Sequence, residues 1–336
     1  MVRRFAVTLL PAMLGCMAAF STLAPAAALA EATTVRAAKQ FGLGYIQYMV
    51  MEEQQLIEKY AKTAGLGDVK VEWATFRSSD VMNDALISGN VDFVSLGIPG
   101  LLTIWDRSKG LIDVKGVAGL NALPLVLMVR DDNIKTIADF TEKHRIAVPA
   151  AKISLQAILL QMAAEQAFGK GNHGKLDPLT VTMAHPDATI AMVSGNMDVT
   201  ANYTTLPFLA RQAKTPGIRR ILAANETMGG PFSFNVIAAT SKFRTDNPRL
   251  FKAFRDALDE ATAFVNADKK AAAEVYIRAT KDKTPLDDMV ALLNEPGNQF
   301  TTKVIAIDKM VDFLVRTGNF KNKPETAKDL LFPEAQ

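Results

Sequence analysis

Short runs of β-branched and apolar residues alternate along this chain with longer amphipathic segments. In the first set, strand-like runs cover residues 69–76 and 91–95, with helical patterns at residues 80–88 and 100–107. In the second set, strand-like runs cover residues 145–148, 179–183, 197–201 and 218–223, with helical patterns at residues 154–168 and up to Val193. This alternation is typical of the α/β class. We therefore predict two α/β units.

One eight-residue segment occurs in both units. Residues 85–92 read Ala-Leu-Ile-Ser-Gly-Asn-Val-Asp, and residues 191–198 read Ala-Met-Val-Ser-Gly-Asn-Met-Asp. The shared Ser-Gly-Asn predicts a helix end, because glycine takes the left-handed conformation readily and asparagine tolerates the following turn. In each copy the next strand ends in a short loop with a proline, Pro99 or Pro207. We expect these two loops to face each other.

The chain after Pro231 has a different pattern. It contains a strand-like run at residues 232–240, helical patterns at residues 248–280, 286–293 and 304–317, and a tail at residues 322–336. We expect this helical C-terminal part to pack on the first unit. The chain would then cross between the units twice, near Leu123 and near Phe234.

About 300 residues are more than a single core usually holds. We therefore predict a first lobe of residues 31–122 and 235–336, and a second lobe of residues 123–234. The two crossings between these lobes would form a hinge.

Residues 1–30 predict a secretory signal peptide. Arg3 and Arg4 precede an almost uninterrupted apolar stretch over residues 5–20, and Ala28 and Ala30 are small residues of the kind that a signal peptidase accepts. We expect cleavage after Ala30 and a periplasmic protein. A retained membrane anchor is the alternative, but prolines and small residues shorten the apolar span below the roughly 20 residues that a spanning helix needs.

Cys16 is the only cysteine of the chain and lies within this leader. Cleavage after Ala30 would leave no thiol for a disulfide or a zinc site. Lipid attachment at Cys16 is an alternative, because residues 13–16 partly match a lipoprotein signal. Loss of Arg3 and Arg4 from the 38 basic residues leaves 36 against 35 acidic residues, a formal net charge of +1. This balance does not indicate a nucleic-acid partner.

Five short segments occur in an informative order: Gln40-Phe41-Gly42-Leu43-Gly44-Tyr45, residues 85–92, residues 94–99, residues 148–154 and residues 186–198. Through them the mature chain resembles the nitrate, sulfonate and taurine family of ABC-transporter solute-binding proteins. The resemblance implies a two-lobe periplasmic-binding-protein-like fold of type II, a Venus flytrap. It also implies a monomer that uses no cofactor, binds a small molecule and delivers it to an ABC transporter permease in the inner membrane.

Two departures from the family pattern fall at the predicted cleft. The family often has a tryptophan and an acidic residue before the last proline, where this chain has Asn202-Tyr203-Thr204-Thr205-Leu206-Pro207. The family commonly has paired serines at the helix start where this chain has Ser154 alone. These departures weaken any transfer of substrate identity from the family.

Ligands of open α/β sheets bind at the carboxyl ends of strands, where helix N-termini offer free N–H groups and a partial positive charge. The first lobe and the hinge provide six candidates for ligand contact: Tyr45, Gln47, the backbone of Ser95, Leu96 and Gly97, and Asn121. Asn121 lies near the first crossing. Its side chain either senses the ligand or satisfies the backbone of the hinge.

The second lobe provides five candidates: Ser154, Leu155, Asn202, Tyr203 and His185. Ser154 is placed to cap the helix that begins at Leu155, and its hydroxyl could also contact the ligand; capping alone is the alternative. Asn202 and Tyr203 are expected to follow a strand. His185 opens a helix, and it either reads a ligand group or is simply solvated.

We expect the turns at Gly97 and Ser154 to meet, from opposite lobes, over one ligand. Helix ends without an assigned basic residue favour a small oxyanion, such as a sulfonate, taurine, nitrate or a carboxylate. A neutral heterocycle such as a pyrimidine precursor is the alternative ligand, and a periplasmic sensor is the alternative role. His144, His173 and His185 lack metal-ligand spacing, and no nucleophile or nucleotide motif occurs, so a metal site, a catalytic residue and a secreted enzyme are disfavoured.

Overall fold

The computed structural model describes Met1, residues 30–195, residues 198–318 and residues 320–336. Most of the predicted signal peptide, with Cys16, lies outside the described residues, as do Asn196 and Met197 of the second eight-residue segment. Cleavage after Ala30 therefore stays a prediction. Residues 31–336 form one compact unit. Across the described ranges, no helix combines the length and the hydropathy that crossing a membrane requires.

The strands of the described residues, in chain order, are β1 (Thr34–Lys39), β2 (Lys70–Thr75), β3 (Phe93–Leu96), β4 (Val114–Ala122), β5 (Leu125–Val129), β6 (Ile146–Val148), β7 (Thr180–Thr182), β8 (Ala201–Thr205), β9 (Arg219–Ala223), β10 (Asn235–Thr240) and β11 (Gln299–Phe300).

The α-helices, in chain order, are α1 (Ile46–Glu53), α2 (Leu56–Thr63), α3 (Ser79–Ile87), α4 (Ile98–Ser108), α5 (Leu155–Phe168), α6 (His185–Ser194), α7 (Phe208–Ala213), α8 (Ala224–Met228), α9 (Ser241–Asp246), α10 (Pro248–Ala267), α11 (Lys269–Thr280), α12 (Leu286–Leu293) and α13 (Asp308–Thr317). Short 3-10 segments, such as Leu43–Tyr45 before α1, connect some of them. Strands and helices alternate, so the α/β prediction is confirmed.

The strands form two sheets. The order in the first sheet is β11-β4-β10-β3-β1-β2, and the order in the second sheet is β7-β6-β8-β5-β9. Strand β1 is parallel to β2 and β3, and β6 is parallel to β7 and β8. Because the carboxyl ends of parallel strands meet at one edge, each sheet gathers its strand-to-helix turns along one edge.

The chain passes from the first sheet to the second between β4 and β5, and it returns at Phe234, just before β10. The Phe234 N–H donates to the Asn121 carbonyl oxygen at 2.8 Å, so the two crossings are hydrogen-bonded to each other. Strand β10 then runs antiparallel between β3 and β4. The second sheet is thus built from residues 125–223 alone, and the first sheet from the segments on either side.

The C-terminal helices pack on the first sheet, as predicted. The ring of Phe254 in α10 stacks on Phe93 in β3, with centroids 3.7 Å apart and planes within 2° of each other. Both rings are fully buried, and burial of one such side chain stabilises the fold by about 1.5–3 kcal/mol. In the tail, the Asp329 carbonyl oxygen accepts a hydrogen bond from Trp105 Nε1 at 3.1 Å. The tail therefore wraps back onto α4.

The two copies of the eight-residue segment both end a helix. Gly89 follows α3 with φ at 72°, and Gly195 follows α6 with φ at 64°. Both values lie in the left-handed region, where glycine lacks the Cβ clash of other residues. The prediction that these glycines end their helices is confirmed.

Of the strand predicted at residues 197–201, residues 198–200 are not in a strand, so that prediction is wrong over these residues. The strand that the structure contains is β8, Ala201–Thr205, so Asn202 and Tyr203 lie within a strand and not in a loop after it. All five residues of β8 are buried, because β8 is central between β5 and β6. A strand buried on both faces has no polar alternation. Its polar residues therefore resemble a loop in the sequence.

The helical pattern of residues 248–280 is interrupted at Asp268. The Asp268 Oδ1 accepts a hydrogen bond from the Ala271 N–H at 2.9 Å and so caps α11 separately from α10. The helix predicted at residues 304–317 begins later, at Asp308. Strands β4 and β5, which lie on either side of the first crossing, were not predicted.

Candidate ligand-binding cleft

The turn after β3 lies directly against the turn before α5. A Cβ atom placed on Gly97 would lie 2.8 Å from the Leu155 Cβ, closer than side chains approach each other. The backbone of Gly97 is extended, with φ at −69°. Space rather than conformation therefore requires glycine here. Gly97 belongs to the edge of the first sheet and Leu155 to the edge of the second, so the two edges meet at this point.

The turn after β1 makes the second contact between the two sheets. Gly42 has φ at 116°, and a Cβ atom on it would lie 3.0 Å from the Leu206 carbonyl oxygen. The Leu43 N–H donates to the same oxygen at 3.0 Å. The loop before Pro207 therefore contacts the Gly42 turn of the first sheet.

A small cavity lies between these contacts, and we call it the inner cavity. The first-sheet side contributes Gln40, Phe41, Tyr45, Ser79, Gly97 and Asn235. The second-sheet side contributes Pro149, Ser154, Leu155, Gln156 and His185. The cavity volume is about 20 Å³, which is room for about one water molecule. The predicted residues that it brings together are Tyr45, Gly97, Ser154, Leu155 and His185.

Ser154 is the N-cap of α5, as predicted. Its Oγ accepts a hydrogen bond from the Ala157 N–H at 3.3 Å, and its side chain is buried. A serine cap leaves the other N–H groups of the first helical turn without helical partners. The first turn of α5 therefore brings donors and a partial positive charge to the inner cavity.

His185 is buried at the first position of α6 and not solvated. Its ring stacks on Phe208, with centroids 5.6 Å apart, and its Nε2 lies 3.2 Å from Gln156 Nε2. An amide nitrogen only donates, so the ring Nε2 accepts and the ring proton lies on Nδ1. Burial lowers the pKa of His185 to about 4, which keeps the ring neutral at pH 7. His185 Nδ1 has no hydrogen-bond partner in the protein.

Tyr45, Asn121 and Asn235 form a polar group beside the crossings. The Tyr45 hydroxyl donates to Asn235 Oδ1 at 3.2 Å, and burial raises the pKa of Tyr45 above its ordinary value. Asn121 Nδ2 donates to the Gly44 carbonyl oxygen at 2.6 Å. A Cβ atom on Gly44 would lie 2.8 Å from Asn235 Nδ2, so glycine leaves space for this amide. The Asn121 side chain thus binds the turn before α1 rather than the backbone of the crossing, and its role in ligand contact stays a prediction.

Gln47, Ser95 and Leu96 lie behind the inner cavity. Gln47 is fully buried and its Nε2 donates to the Leu120 carbonyl oxygen at 2.5 Å. The Ser95 hydroxyl donates to the Ala38 carbonyl oxygen at 2.9 Å. The side chain of Leu96 is fully buried. These residues support the turn that ends at Gly97, and their role in ligand contact stays a prediction.

Asn202, Tyr203 and Thr204 place unpaired polar atoms in the middle of β8. Both amide atoms of Asn202, the Tyr203 hydroxyl and the Thr204 hydroxyl are buried without a hydrogen-bond partner in the protein. Burial raises the pKa of Tyr203 above its ordinary value. Buried polar groups are normally paired, often with ordered water. The contribution of Asn202 and Tyr203 to ligand binding stays a prediction.

A larger space, which we call the outer chamber, adjoins the inner cavity. Its volume is about 630 Å³, and Gln40 and Phe41 line both spaces. Other residues of its wall are Lys39, Glu52, Trp73, Phe208, Arg211 and Tyr276. No sequence pattern predicted this chamber. Its residues come from distant parts of the chain and form no local pattern; the one available signal was Lys39 at the carboxyl end of β1.

Ion pairs join the segment of residues 125–223 to the C-terminal helical part. Arg316 Nη2 in α13 lies 2.5 Å from Glu165 Oε2 in α5, and these hydrogen bonds lower the pKa of Glu165 to about 2. Lys214 pairs with Asp288 at 2.8 Å. Arg211 in α7 pairs with Asp282. These ion pairs hold the two segments together both at the cleft and outside it.

Within the described residues, no group of three or more histidine, cysteine, aspartate or glutamate side chains is arranged to hold a metal ion.

A family model described as NMT1/THI5 like matches residues 101–272. A comparison with curated protein sequences gave no match.

Solved structures of several binding proteins are similar to this chain. The alkanesulfonate-binding protein SsuA from Xanthomonas axonopodis pv. citri, bound to MOPS, matches with a TM-score of 0.67 and 16% identity, over 85% of this chain and 94% of that one. The periplasmic aliphatic sulphonate binding protein SsuA from Escherichia coli matches with a TM-score of 0.64 and 20% identity, over 88% and 98%.

The periplasmic nitrate-binding protein NrtA from Synechocystis PCC 6803 matches with a TM-score of 0.59 and 15% identity, over 77% of this chain and 69% of that one. At these identities the similarity establishes the fold, which is that of the periplasmic binding proteins. The predicted fold is therefore confirmed.

Proposed function

Because this chain belongs to the NMT1/THI5-like family, we propose that it is the substrate-binding component of an ABC importer. Residues 31–122 with 235–336 form a first lobe, and residues 123–234 form a second lobe. The lobes close around one small molecule, and a permease in the inner membrane receives the closed form. The similar solved structures support this proposal, because their names describe sulfonate- and nitrate-binding proteins.

The contact between Gly97 and Leu155 carries the proposal. The two residues lie at the facing edges of different sheets, and a single Cβ atom on Gly97 would come within 2.8 Å of Leu155. A ligand held beside this contact touches both lobes at once. Such a ligand favours the closed form by its greater affinity for that form.

The lining of the inner cavity suits the head group of a small oxyanion, such as a sulfonate, taurine, nitrate or a carboxylate. Such a group is larger than the volume of about 20 Å³, so it would hold the lobes slightly further apart than they are here. The first turn of α5 supplies N–H donors and a partial positive charge, which bind an oxyanion without a formal cation. Ser154 and Gln156 add side-chain donors at the same turn. The neutral ring of His185 contributes a further donor at Nδ1 without carrying charge.

A neutral heterocycle is a second candidate ligand, and the uncharged lining of the inner cavity favours it. No residue among the described lining of this cavity carries a formal charge at pH 7 when His185 is neutral. Amide and imidazole groups can pair with the ring nitrogens of such a ligand. The two candidates differ in charge, so one variant can separate them.

The lobes must open for a ligand to enter, because the inner cavity has room for about one water molecule. Opening separates Gly97 from Leu155, and it breaks the ion pairs of Arg211, Lys214 and Arg316. The hinge is the pair of crossings, where Phe234 and Asn121 are hydrogen-bonded. Opening is therefore a rotation at the hinge, and neither lobe has to rearrange internally.

The protein is proposed to bind its ligand in the periplasm without transforming it. The predicted leader of residues 1–30 directs export, and neither the fold nor the cleft suggests a reaction. A periplasmic sensor would use the same closing cleft. Growth of a deletion strain on a ligand that the protein binds separates the two roles. The strain should fail to grow if the protein is part of the importer, because uptake then requires it, and should grow if the protein is only a sensor.

The proposal is tested by a thermal-shift screen of residues 31–336 against methanesulfonate, taurine, nitrate, acetate and pyrimidines. A ligand that binds only the folded protein raises the melting temperature with its concentration. We expect at least one oxyanion to raise it. If none of these compounds raises it at millimolar concentration, the proposed ligand classes are wrong.

The site is tested with Ser154→Trp and a matched control, Ser88→Trp. An indole at position 154 fills the inner cavity and blocks closure, whereas Ser88 is exposed at the end of α3. We expect Ser154→Trp to abolish the ligand-induced shift and Ser88→Trp to retain it. If Ser154→Trp retains the full ligand-induced shift in melting temperature, the ligand does not bind in the inner cavity.

A further inference from the structure

The outer chamber is far larger than a small oxyanion requires. Its volume is about 630 Å³, against about 20 Å³ for the inner cavity. Pockets for drug-sized ligands usually measure about 300–1,000 Å³. The two spaces share Gln40 and Phe41 in their walls. A ligand longer than its head group would therefore reach past Phe41 from the inner cavity toward the outer chamber.

The wall of the outer chamber carries more positive than negative charge. Its charged residues are Lys39, Glu52, Arg211, Lys281, Asp282 and Lys283, which are four cations and two anions. Lys39 pairs with Glu52, and Arg211 pairs with Asp282. The excess comes from the exposed lysines at 281 and 283. Such a rim attracts anionic ligands toward the cleft.

Lys39 is a fixed cation at the floor of the outer chamber. Its side chain is 11% exposed, and its Nζ lies 2.5 Å from Glu52 Oε2 and 5.0 Å from the centre of the Trp73 ring. An ammonium group has three donors, and the bond to Glu52 uses one of them. Because the pair with Glu52 already orders the Lys39 side chain, an anionic group of a ligand can bind Lys39 with little further loss of side-chain freedom.

Phe41 supplies a flat apolar surface where the two spaces join. It is 39% exposed, and it is the aromatic side chain among the few large apolar side chains that the described residues leave exposed. Phe208 of the second lobe also lines the chamber, but it is 5% exposed and stacks on His185, so the accessible aromatic face is that of Phe41. A planar ring that lies against this face buries apolar area.

We propose that the ligand is an aromatic compound with two anionic groups. One oxyanion lies in the inner cavity at the N-terminus of α5, the ring lies against Phe41, and the second anionic group binds Lys39. This inference rests on the proposed function and specifies the substrate class of the same cleft.

Two matched series of compounds test the inference: methanesulfonate, benzenesulfonate and 4-sulfobenzoate, and acetate, benzoate and 1,4-benzenedicarboxylate. Calorimetric titration of residues 31–336 measures each Kd. We expect the ring to strengthen binding about tenfold and the second anionic group to strengthen it about fivefold more. Both steps should appear in at least one series.

Two variants assign these steps to residues. Phe41→Ala should remove the gain from the ring, and Lys39→Met should remove only the gain from the second anionic group. The matched controls are Leu111→Ala, at an apolar side chain that is 81% exposed, and Lys109→Met, whose Nζ lies 4.5 Å from the centre of the Trp105 ring outside the chamber. The controls should bind as the wild type does. Melting curves without ligand verify that each variant is folded.

The outcomes separate this inference from the proposed function. If methanesulfonate or acetate binds and the ring adds nothing, the aromatic class is wrong and the oxyanion site stands. If the ring strengthens binding but Phe41→Ala does not weaken it, the assignment to the outer chamber is wrong. If no compound of either series binds, the oxyanion proposal itself fails, and this inference fails with it.

Discussion

The inner cavity and the outer chamber belong to one cleft but differ in size and charge. The inner cavity has room for about one water molecule and an uncharged lining, whereas the outer chamber measures about 630 Å³ and has six charged residues in its wall. A helix N-terminus and uncharged side chains line the inner cavity, whereas charged side chains form much of the wall of the outer chamber. The comparison suggests that the inner cavity fixes the head group and that the outer chamber selects the rest of the ligand.

The largest expected effect comes from placing one negative charge in each space. Aspartate is as good an N-cap as serine, so Ser154→Asp preserves the start of α5. Its carboxylate would face a ligand anion in a buried space, and we expect oxyanion affinity to fall about thousandfold, or about 4 kcal/mol. Calorimetric titration measures the loss.

The companion variant is Thr75→Asp in the outer chamber. Thr75 is exposed at the end of β2 and lines this chamber. Solvent screens a charge there, so we expect only about a threefold loss of methanesulfonate or acetate affinity. If Ser154→Asp and Thr75→Asp weaken oxyanion affinity equally, the inner cavity and the outer chamber do not differ in the way proposed. A neutral heterocycle that still binds Ser154→Asp would identify the ligand as uncharged.

A second prediction concerns the pH dependence of stability, which the inner cavity should control through His185. The folded pKa is about 4 against an ordinary value of 6.5, so the folded protein binds fewer protons than the unfolded protein between these values. The contribution of His185 to the free energy of unfolding is complete above pH 6.5 and is lost as the pH falls to 4. The loss should reach about 3 kcal/mol.

Urea unfolding at several pH values measures this loss, with His185→Gln as the comparison. The variant keeps a polar group that does not titrate, so its free energy of unfolding should fall less between pH 6.5 and pH 4. The same slope in both proteins would mean that His185 is not buried and neutral in the folded state.

The smallest effect is expected from an ion pair outside both spaces. Arg316→Gln removes the pair with Glu165, which joins the two proposed lobes. Arg316 is 43% exposed although Glu165 is only 14% exposed, and salt screens the pair from the arginine side. Ligand affinity should therefore weaken about twofold at low salt and less at high salt.

Arg107→Gln is the matched control, because its pair with Asp84 lies within the first lobe. Its ligand affinity should equal that of the wild type at every salt concentration. If Arg316→Gln weakens ligand affinity more than Thr75→Asp does, closure is controlled mainly by contacts outside the cleft.

The sequence predicted those features that depend on local backbone chemistry. Ser154 precedes an apolar helical run, and it caps α5. Gly89 and Gly195 follow helical patterns, and both are left-handed. Such positions are predictable because one residue and its neighbours determine the conformation.

Features that depend on tertiary packing were not predictable in this way. The polar residues of β8 resemble a loop, because a central strand buried on both faces lacks alternation. The outer chamber combines Lys39, Trp73 and Phe208, which are brought together only by the fold. Asn235 and Gln156 of the inner cavity also went unrecognised, although Gln156 directly follows the predicted helix start.

The most direct measurement compares closure in the wild type and in Gly97→Leu by small-angle X-ray scattering with and without the ligand found in the screen. A leucine at position 97 is compatible with the extended backbone there, and it collides with Leu155 only when the lobes are closed. Gly174→Leu is the control, because a Cβ atom there has Asp177 Oδ2 at 3.5 Å as its one near contact. We expect the ligand to reduce the radius of gyration of the wild type and of Gly174→Leu, but not of Gly97→Leu. An equal reduction in all three proteins would contradict closure at the Gly97–Leu155 contact.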